Sequence, residues 1–230
     1  MTHGVARISP CWLGAGVSSL GLEERIRNGY FPHMTDLEMI ERDAADWELS
    51  CLVFTEEEYL ATEPDRLERH EYIDGQIRCM AGASDSHEGV SLLLAAKLLQ
   101  HLRGKPCRVF KGDMKLRVKQ RQQAQKVVFY YPDIMVVCDP ADDKQDYKTR
   151  PKLIVEVLSN DKGRDLIEKL AVYREIDTLE EYFVISQHAQ RPEVTAFRRA
   201  NDFEPEIFQA DNFMMDSVGL PLTVKELYEF

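Results

Sequence analysis

The chain has 230 residues, 44% of them apolar and 30% charged, with a net charge of -11. This suffices for one α/β domain with extra material, or two small domains, and excludes a largely disordered protein. No run of about eighteen apolar residues offers a membrane span, and the acidic balance disfavours a protein that holds nucleic acid through bulk charge alone.

Residues 1–50 read as an N-terminal extension ahead of a domain over 51–230. The opening MTHGVARISPCWLGAG carries one arginine and a weak apolar stretch broken by Pro10 and Gly14, a poor secretory signal, so a cytoplasmic protein is expected. Thr35 or Asp36 is a candidate cap for a short helix through Trp47. Five cysteines, Cys11, Cys51, Cys79, Cys107 and Cys138, stand singly with wide gaps. An odd count without CxxC spacing argues against a disulfide framework or a structural zinc site, and predicts small buried thiols in a reducing compartment.

Thr55-x-x-Glu58 is a capping box opening a short helix through Ala61, which Pro64 ends. Glu71 to Met80 reads as two short strands joined by Asp74-Gly75, a strong hairpin signal. Asp85-x-x-Glu88 is a second capping box, before a leucine-rich helix that stops at Gly104 and is expected to be buried over a wide arc. Strands are expected at 107–118, 127–138 and 152–158, the last almost continuously apolar, as befits a central strand. Ser159 or Asn160 caps a helix from about Asp161 to Arg174, with Leu166, Leu170 and Tyr173 as its apolar stripe. A strand over 179–185, short strands near 194–197 and 206–208, and a short helix in the tail from Leu220 complete the order. The pattern predicts an α/β fold: a central mixed sheet flanked by helices, with at least one crossover helix and the strands of Asp133 and Glu156 adjacent.

Two strands carry an acid where a core strand prefers valine or isoleucine: Asp133 after Pro132, and Glu156 between Val155 and Val157. A buried carboxylate must be paired, hydrogen-bonded or metal-bound. Two of them brought together need a cation, and Mg²⁺ or Mn²⁺ suits oxygen ligands. The chemistry that follows is metal-assisted attack of water on a phosphodiester. The plain alternative is that each acid caps an amide or pairs with an arginine. Between His101 and Val127 lie Arg103, Lys105, Arg108, Lys111, Lys115, Arg117, Lys119, Arg121 and Lys126 against the single acid Asp113. That run suits phosphate contact or a solvated rim.

The segments FTEEEYL, HEYIDGQI with CMAGASDSHEG, GDMKLRV, YYPDIMVVCD, PKLIVEVLSN, RDLIEKLAVYREI and EYFVI, taken in this order over residues 54–185, resemble the Uma2-like family of restriction-endonuclease-type proteins, a branch of the PD-(D/E)xK nuclease superfamily. The resemblance implies a restriction-endonuclease-like core, a divalent-metal-dependent endonuclease using Mg²⁺ or Mn²⁺ on DNA, and a homodimer, which the residues themselves neither support nor oppose. The superfamily pattern places lysine two residues after the strand acid; here Leu158 fills that position. The resemblance moves the lysine to Lys169 on the following helix, where a long stem can return the ammonium to the site. A plain i,i+4 pair with Asp165 is the alternative.

The resemblance also brings forward Glu71 as a further carboxylate, with pairing to Arg69 or Arg78 as its alternative. Asp113 is a candidate partner of Lys169, a residue at the edge of the site, or a turn residue. His87, near the start of the leucine-rich helix, is a candidate for phosphate or carboxylate contact, or an ordinary first-turn histidine. Tyr173 and Tyr182 read as core or rim. Two further functions stay open: a non-catalytic nucleic-acid-binding or defence-associated protein on the nuclease fold, and a structural domain whose acids only satisfy internal hydrogen bonds.

Overall fold

The computed structural model describes residues 53–80, 82–121, 126–158 and 163–230, with the side chains of 163–166 left aside. The expected N-terminal helix and the cap at Ser159 or Asn160 lie outside these residues. The chain divides into two compact units, the second beginning at Ala81.

In the first unit, Thr55 caps α1 (Glu56–Thr62), and both halves of the predicted capping box with Glu58 are present. Pro64 sits in the 3-10 turn Glu63–Asp65 that follows. Strands β1 (His70–Ile73) and β2 (Gln76–Cys79) form the predicted hairpin. Asp74 and Gly75 both take positive φ, 51° and 95°. That geometry suits a two-residue turn matching the strand twist, and glycine adopts it without a Cβ penalty.

The second unit contains a six-stranded mixed sheet in the order β11 (Pro205–Phe208), β10 (Val194–Arg198), β9 (Glu181–Ser186), β8 (Leu153–Leu158), β6 (Ile134–Val137), β3 (Arg108–Lys111). Beside it, β4 (Lys115–Lys119) pairs antiparallel with β5 (Val127–Tyr130) and parallel with β7 (Tyr147–Lys148), and β12 (Asn212–Met215) pairs with β13 (Leu220–Thr223). The two long central segments each divide. The expected strand over 107–118 breaks at Gly112 and Asp113, and the one over 127–138 breaks at Tyr131-Pro132-Asp133; the halves join different ladders. Gly112 takes φ 66°, which ends regular pairing there. The parallel β8–β9 pair is bridged by α3 (Gly163–Tyr173), the expected crossover.

Strand alternation sorts the six-stranded sheet into two faces. Ile134, Val136, Leu153, Val155, Val157, Phe183, Ile185, Val194 and Ala196 point one way, into a core with Val90, Leu94, Ala95, Leu98 and Leu102 of α2 (Asp85–His101). Truncating Leu94, fully buried at the centre of that contact, is expected to cost about 2–5 kcal/mol. The helix is buried on one side rather than over a wide arc: Leu92 and Leu99 remain exposed. Its cap also differs from expectation. Ser84, not Asp85, is the N-cap, so the third helical residue whose N–H it receives is His87 rather than Glu88. In the tail, Leu220–Thr223 forms β13, and the expected short helix is a 3-10 turn over Lys225–Tyr228.

One cysteine expectation is overturned. Cys107 and Cys138 form a disulfide across the ends of β3 and β6, one step beyond the Arg108–Val137 pair, while Cys79 is exposed rather than buried. The antiparallel register alone brings the two sulfurs together, and spacing along the chain cannot report it.

Candidate active site

The face of the sheet opposite the α2 core carries the polar centre. β6 runs antiparallel to β8 with Ile134 across from Val155 and Met135 across from Ile154. Extending the register by one residue sets Asp133 opposite Glu156, and the two-residue period turns both away from the valine-rich core. Pro132 begins this segment without a donor, and the Val157 N–H closes the gap by donating to Asp133 Oδ2 at 2.7 Å.

Glu156 is 7% exposed in a strand otherwise made of Leu, Ile and Val. From α3, Lys169 Nζ and Tyr173 Oη both donate to Glu156 Oε1, at 3.0 and 2.9 Å. The two lie four residues apart on one helix face, so a single helix position delivers both. Burial pushes the Glu156 carboxyl up to about 7; Lys169 pulls it down, the neighbouring Asp133 raises it, and Tyr173 lowers it. Tyr173 packs edge-to-face between Tyr130 and Tyr182, and the Lys169 ammonium stands 5.4 Å from the Tyr130 ring centroid. Burial, with the charges of Glu156 and Asp133, holds the Tyr182 hydroxyl well above its ordinary value.

From α2, His87 Nε2 lies 3.1 Å from Asp133 Oδ2. Each central carboxylate is thus held through one oxygen: Oδ2 of Asp133 by His87 and Val157, and Oε1 of Glu156 by Lys169 and Tyr173. Among the described residues, Oδ1 of Asp133 and Oε2 of Glu156 accept no hydrogen bond. Two hard oxygen donors so left suit Mg²⁺ or Mn²⁺, and Mg²⁺ characteristically keeps several waters beside one or two carboxylates. No cluster of three or more His, Cys, Asp or Glu with metal-binding geometry occurs among the described residues.

The structure therefore brings together Asp133, Glu156, Lys169 and His87, and adds Tyr173, which helical spacing had placed in the core. Asp113 is instead an exposed residue in the bend after β3. Glu71 belongs to the first unit, where it stands across β1–β2 from Arg78. The Asp165 side chain, the alternative partner of Lys169, lies outside the described residues. The basic run is divided by the break at Gly112, and much of it meets this chain's own groups. Lys111 pairs with Glu88 at 2.7 Å, Arg108 donates to the Asp142 carbonyl at 2.7 Å, and Arg121 pairs with Asp177. Lys115, Arg117 and Lys119 alternate along one side of β4.

Residues 56–225 match the Uma2 family, described as "Putative restriction endonuclease". The chain belongs to the Uma2 family. An uncharacterized protein of Synechocystis sp., slr1290, is 33% identical over 75% of this chain and 90% of its own length. A second from the same organism, sll1609, is 34% identical over 61% of this chain and 79% of its own. A crystal structure from Anabaena variabilis, titled as that of a "putative nuclease belonging to DUF820", superposes with a TM-score of 0.60 at 18% identity, covering 76% of this chain and 97% of that one. The Uma2 chain therefore has the nuclease-type α/β fold that its sequence resemblance implies. No described helix of this Uma2 protein is long and apolar enough to cross a membrane.

Proposed function

We propose that this protein is a divalent-metal-dependent endonuclease hydrolysing DNA phosphodiester bonds. The observation that carries the reading is the division of labour at the two carboxylates: one oxygen of each is held by the protein, and the other accepts no hydrogen bond among the described residues. Asp133 Oδ1 and Glu156 Oε2 would hold Mg²⁺ or Mn²⁺. When bound, the ion supplies Lewis-acid polarisation of the phosphoryl oxygens and makes water a better nucleophile at neutral pH.

The chain's own groups supply the rest. The Lys169 ammonium stands beside Glu156, where it orients the attacking water and offsets charge that develops on the phosphorus oxygens. Tyr173 and Lys169 together fix the Glu156 carboxylate, and His87 with the Val157 amide fixes Asp133. Water adds to phosphorus, the bond from phosphorus to the 3′ oxygen breaks, the water's proton passes to solvent, and the leaving oxygen takes a proton from solvent. Lys115, Arg117 and Lys119 on β4 are the candidate phosphate contacts.

A homodimer belongs to the same reading through the family resemblance, and a cytoplasmic location is proposed beside it. The net charge of -11 and the pairing of Lys111 and Arg121 with acids of the chain itself favour a second reading, a non-catalytic nucleic-acid-binding or defence-associated protein on this fold. Nicking of supercoiled plasmid separates the two. The enzyme reading expects Mn²⁺- or Mg²⁺-dependent nicking by the wild-type protein and none by Glu156→Ala; equal cleavage, or none by either, supports the second.

A further inference from the structure

Five hydrogen bonds outside the carboxylate–lysine pair link the end of β9, the start of α2 and the end of β8 through Asp133. Gln187 follows β9 and is 6% exposed. Its backbone N–H donates to the carbonyl of Leu158, the last residue of β8, at 3.3 Å. Its side-chain Oε1 accepts the Ser84 hydroxyl at 2.7 Å. With that proton committed to Gln187, the Ser84 oxygen receives the His87 N–H at 3.2 Å and caps α2. His87 Nε2 then meets Asp133 Oδ2 at 3.1 Å, and the same oxygen takes the Val157 N–H at 2.7 Å. The path leaves β8 at Leu158 and returns to it at Val157, so it closes on two adjacent residues just beyond Glu156.

We infer that Gln187 is a positioning residue of the acidic centre, acting through the Ser84 cap on His87 and hence on Asp133. The inference deepens the proposed nuclease reading and rests on it for the identity of the centre being positioned. An N-cap serine often loses little by pointing its hydroxyl proton at solvent, yet here that proton is spent on a buried amide 103 residues away. The link fixes the first turn of α2 relative to the strand end that carries Glu156. Because His87 is the third residue of that turn, its backbone is held by the cap while its ring holds Asp133. Oδ2 is thereby immobilised from two sides, and Oδ1 is kept as the oxygen available to a ligand. Groups that orient a ligand in this way typically change metal affinity by about 10- to 100-fold when removed.

The test compares the wild-type protein with Gln187→Leu, Gln187→Glu and Ser84→Ala, using two readouts. Two-bond ¹H–¹⁵N spectra of the imidazoles, recorded without metal, report the tautomer and environment of His87. Calorimetry with Mn²⁺ reports affinity, and thermal unfolding confirms that each variant is folded. Gln187→Leu and Ser84→Ala should move the His87 signals from a single fixed pattern to an averaged one and weaken Mn²⁺ binding by about 10- to 100-fold. Gln187→Glu keeps an acceptor for Ser84 and should retain the wild-type spectrum. If Gln187→Leu does not fold, Ser84→Ala breaks the same link at an exposed position and decides the matter. Wild-type His87 signals in both link-breaking variants would overturn the inference. Absence of Mn²⁺ binding by the wild-type protein would overturn the metal reading instead, while the imidazole spectra still decide whether Gln187 positions His87.

Discussion

Lys169 reaches Glu156 from the helix after the strand, its ammonium 3.0 Å from Oε1 and thirteen residues further along the chain. Leucine occupies position 158, on the same side of β8 as Glu156, so the strand itself offers no cation there. Lys169→Ala should therefore fold and still bind Mn²⁺, yet lose plasmid nicking by about 100-fold or more, the scale of one transition-state donor. Lys169→Arg should recover little, because a planar guanidinium does not replace a compact ammonium at this distance. Full activity in Lys169→Arg would reduce the residue to a helix anchor.

Tyr173 contributes a hydrogen bond rather than bulk alone. Tyr173→Phe keeps the ring between Tyr130 and Tyr182 but removes the 2.9 Å bond to Glu156. Urea unfolding should show a loss of about 1–3 kcal/mol, the range for taking a hydrogen-bond partner from a buried polar group. Unchanged stability, in a variant with unchanged Mn²⁺ affinity, would show that Lys169 alone holds the carboxylate.

Burial holds the Glu156 carboxyl at about 7 against an ordinary 4.5, with Asp133 adding to the effect and Lys169 and Tyr173 opposing it. Between those values the folded chain binds more protons than the unfolded one. The stability from the protonated form is complete below about 4.5 and is lost as the pH rises through about 7. Metal-free protein should thus be more stable at about pH 5 than at about pH 8 so far as this group contributes. Glu156→Gln should flatten the difference when both proteins are unfolded in urea with chelator present. An identical slope in the variant would assign the pH dependence elsewhere.

The Cys107–Cys138 disulfide closes a segment with a sequence separation of 31. Reduction, or the double change Cys107→Ala and Cys138→Ala, should lower stability by about 2–4 kcal/mol through the loop freed in the unfolded chain. Chemical unfolding with and without reductant measures it; no difference would mean that the unfolded chain keeps the two ends close.

Much of this architecture is legible in residue order because buried acids break an otherwise regular pattern. Glu156 interrupts an apolar strand, and Asp133 follows a proline at a strand's start, so alternation alone sets both apart. The hairpin at Asp74-Gly75 and the box at Thr55 are local and appear as expected. What alternation does not carry is which ladder a strand joins: residues 107–118 and 127–138 look continuous until Gly112 and Pro132 let their halves part. The disulfide arises from the same β3–β6 register and is equally invisible. Tyr173 reads as core because an aromatic at helical spacing usually is core; its place four residues after Lys169 was the available clue. Ser84 is hidden in the sequence because the Asp85–Glu88 pair one position later matches a capping box, whereas the tertiary contact to Gln187 favours the serine.

Mn²⁺ titration by calorimetry tests the central claim, that Asp133 and Glu156 together hold a divalent ion. The wild-type protein should bind, Asp133→Ala and Glu156→Ala should each lose that binding, and Lys169→Ala should keep it. Equal Mn²⁺ affinity in the wild-type protein and Asp133→Ala would contradict the account, leaving two structural acids where a metal centre is proposed.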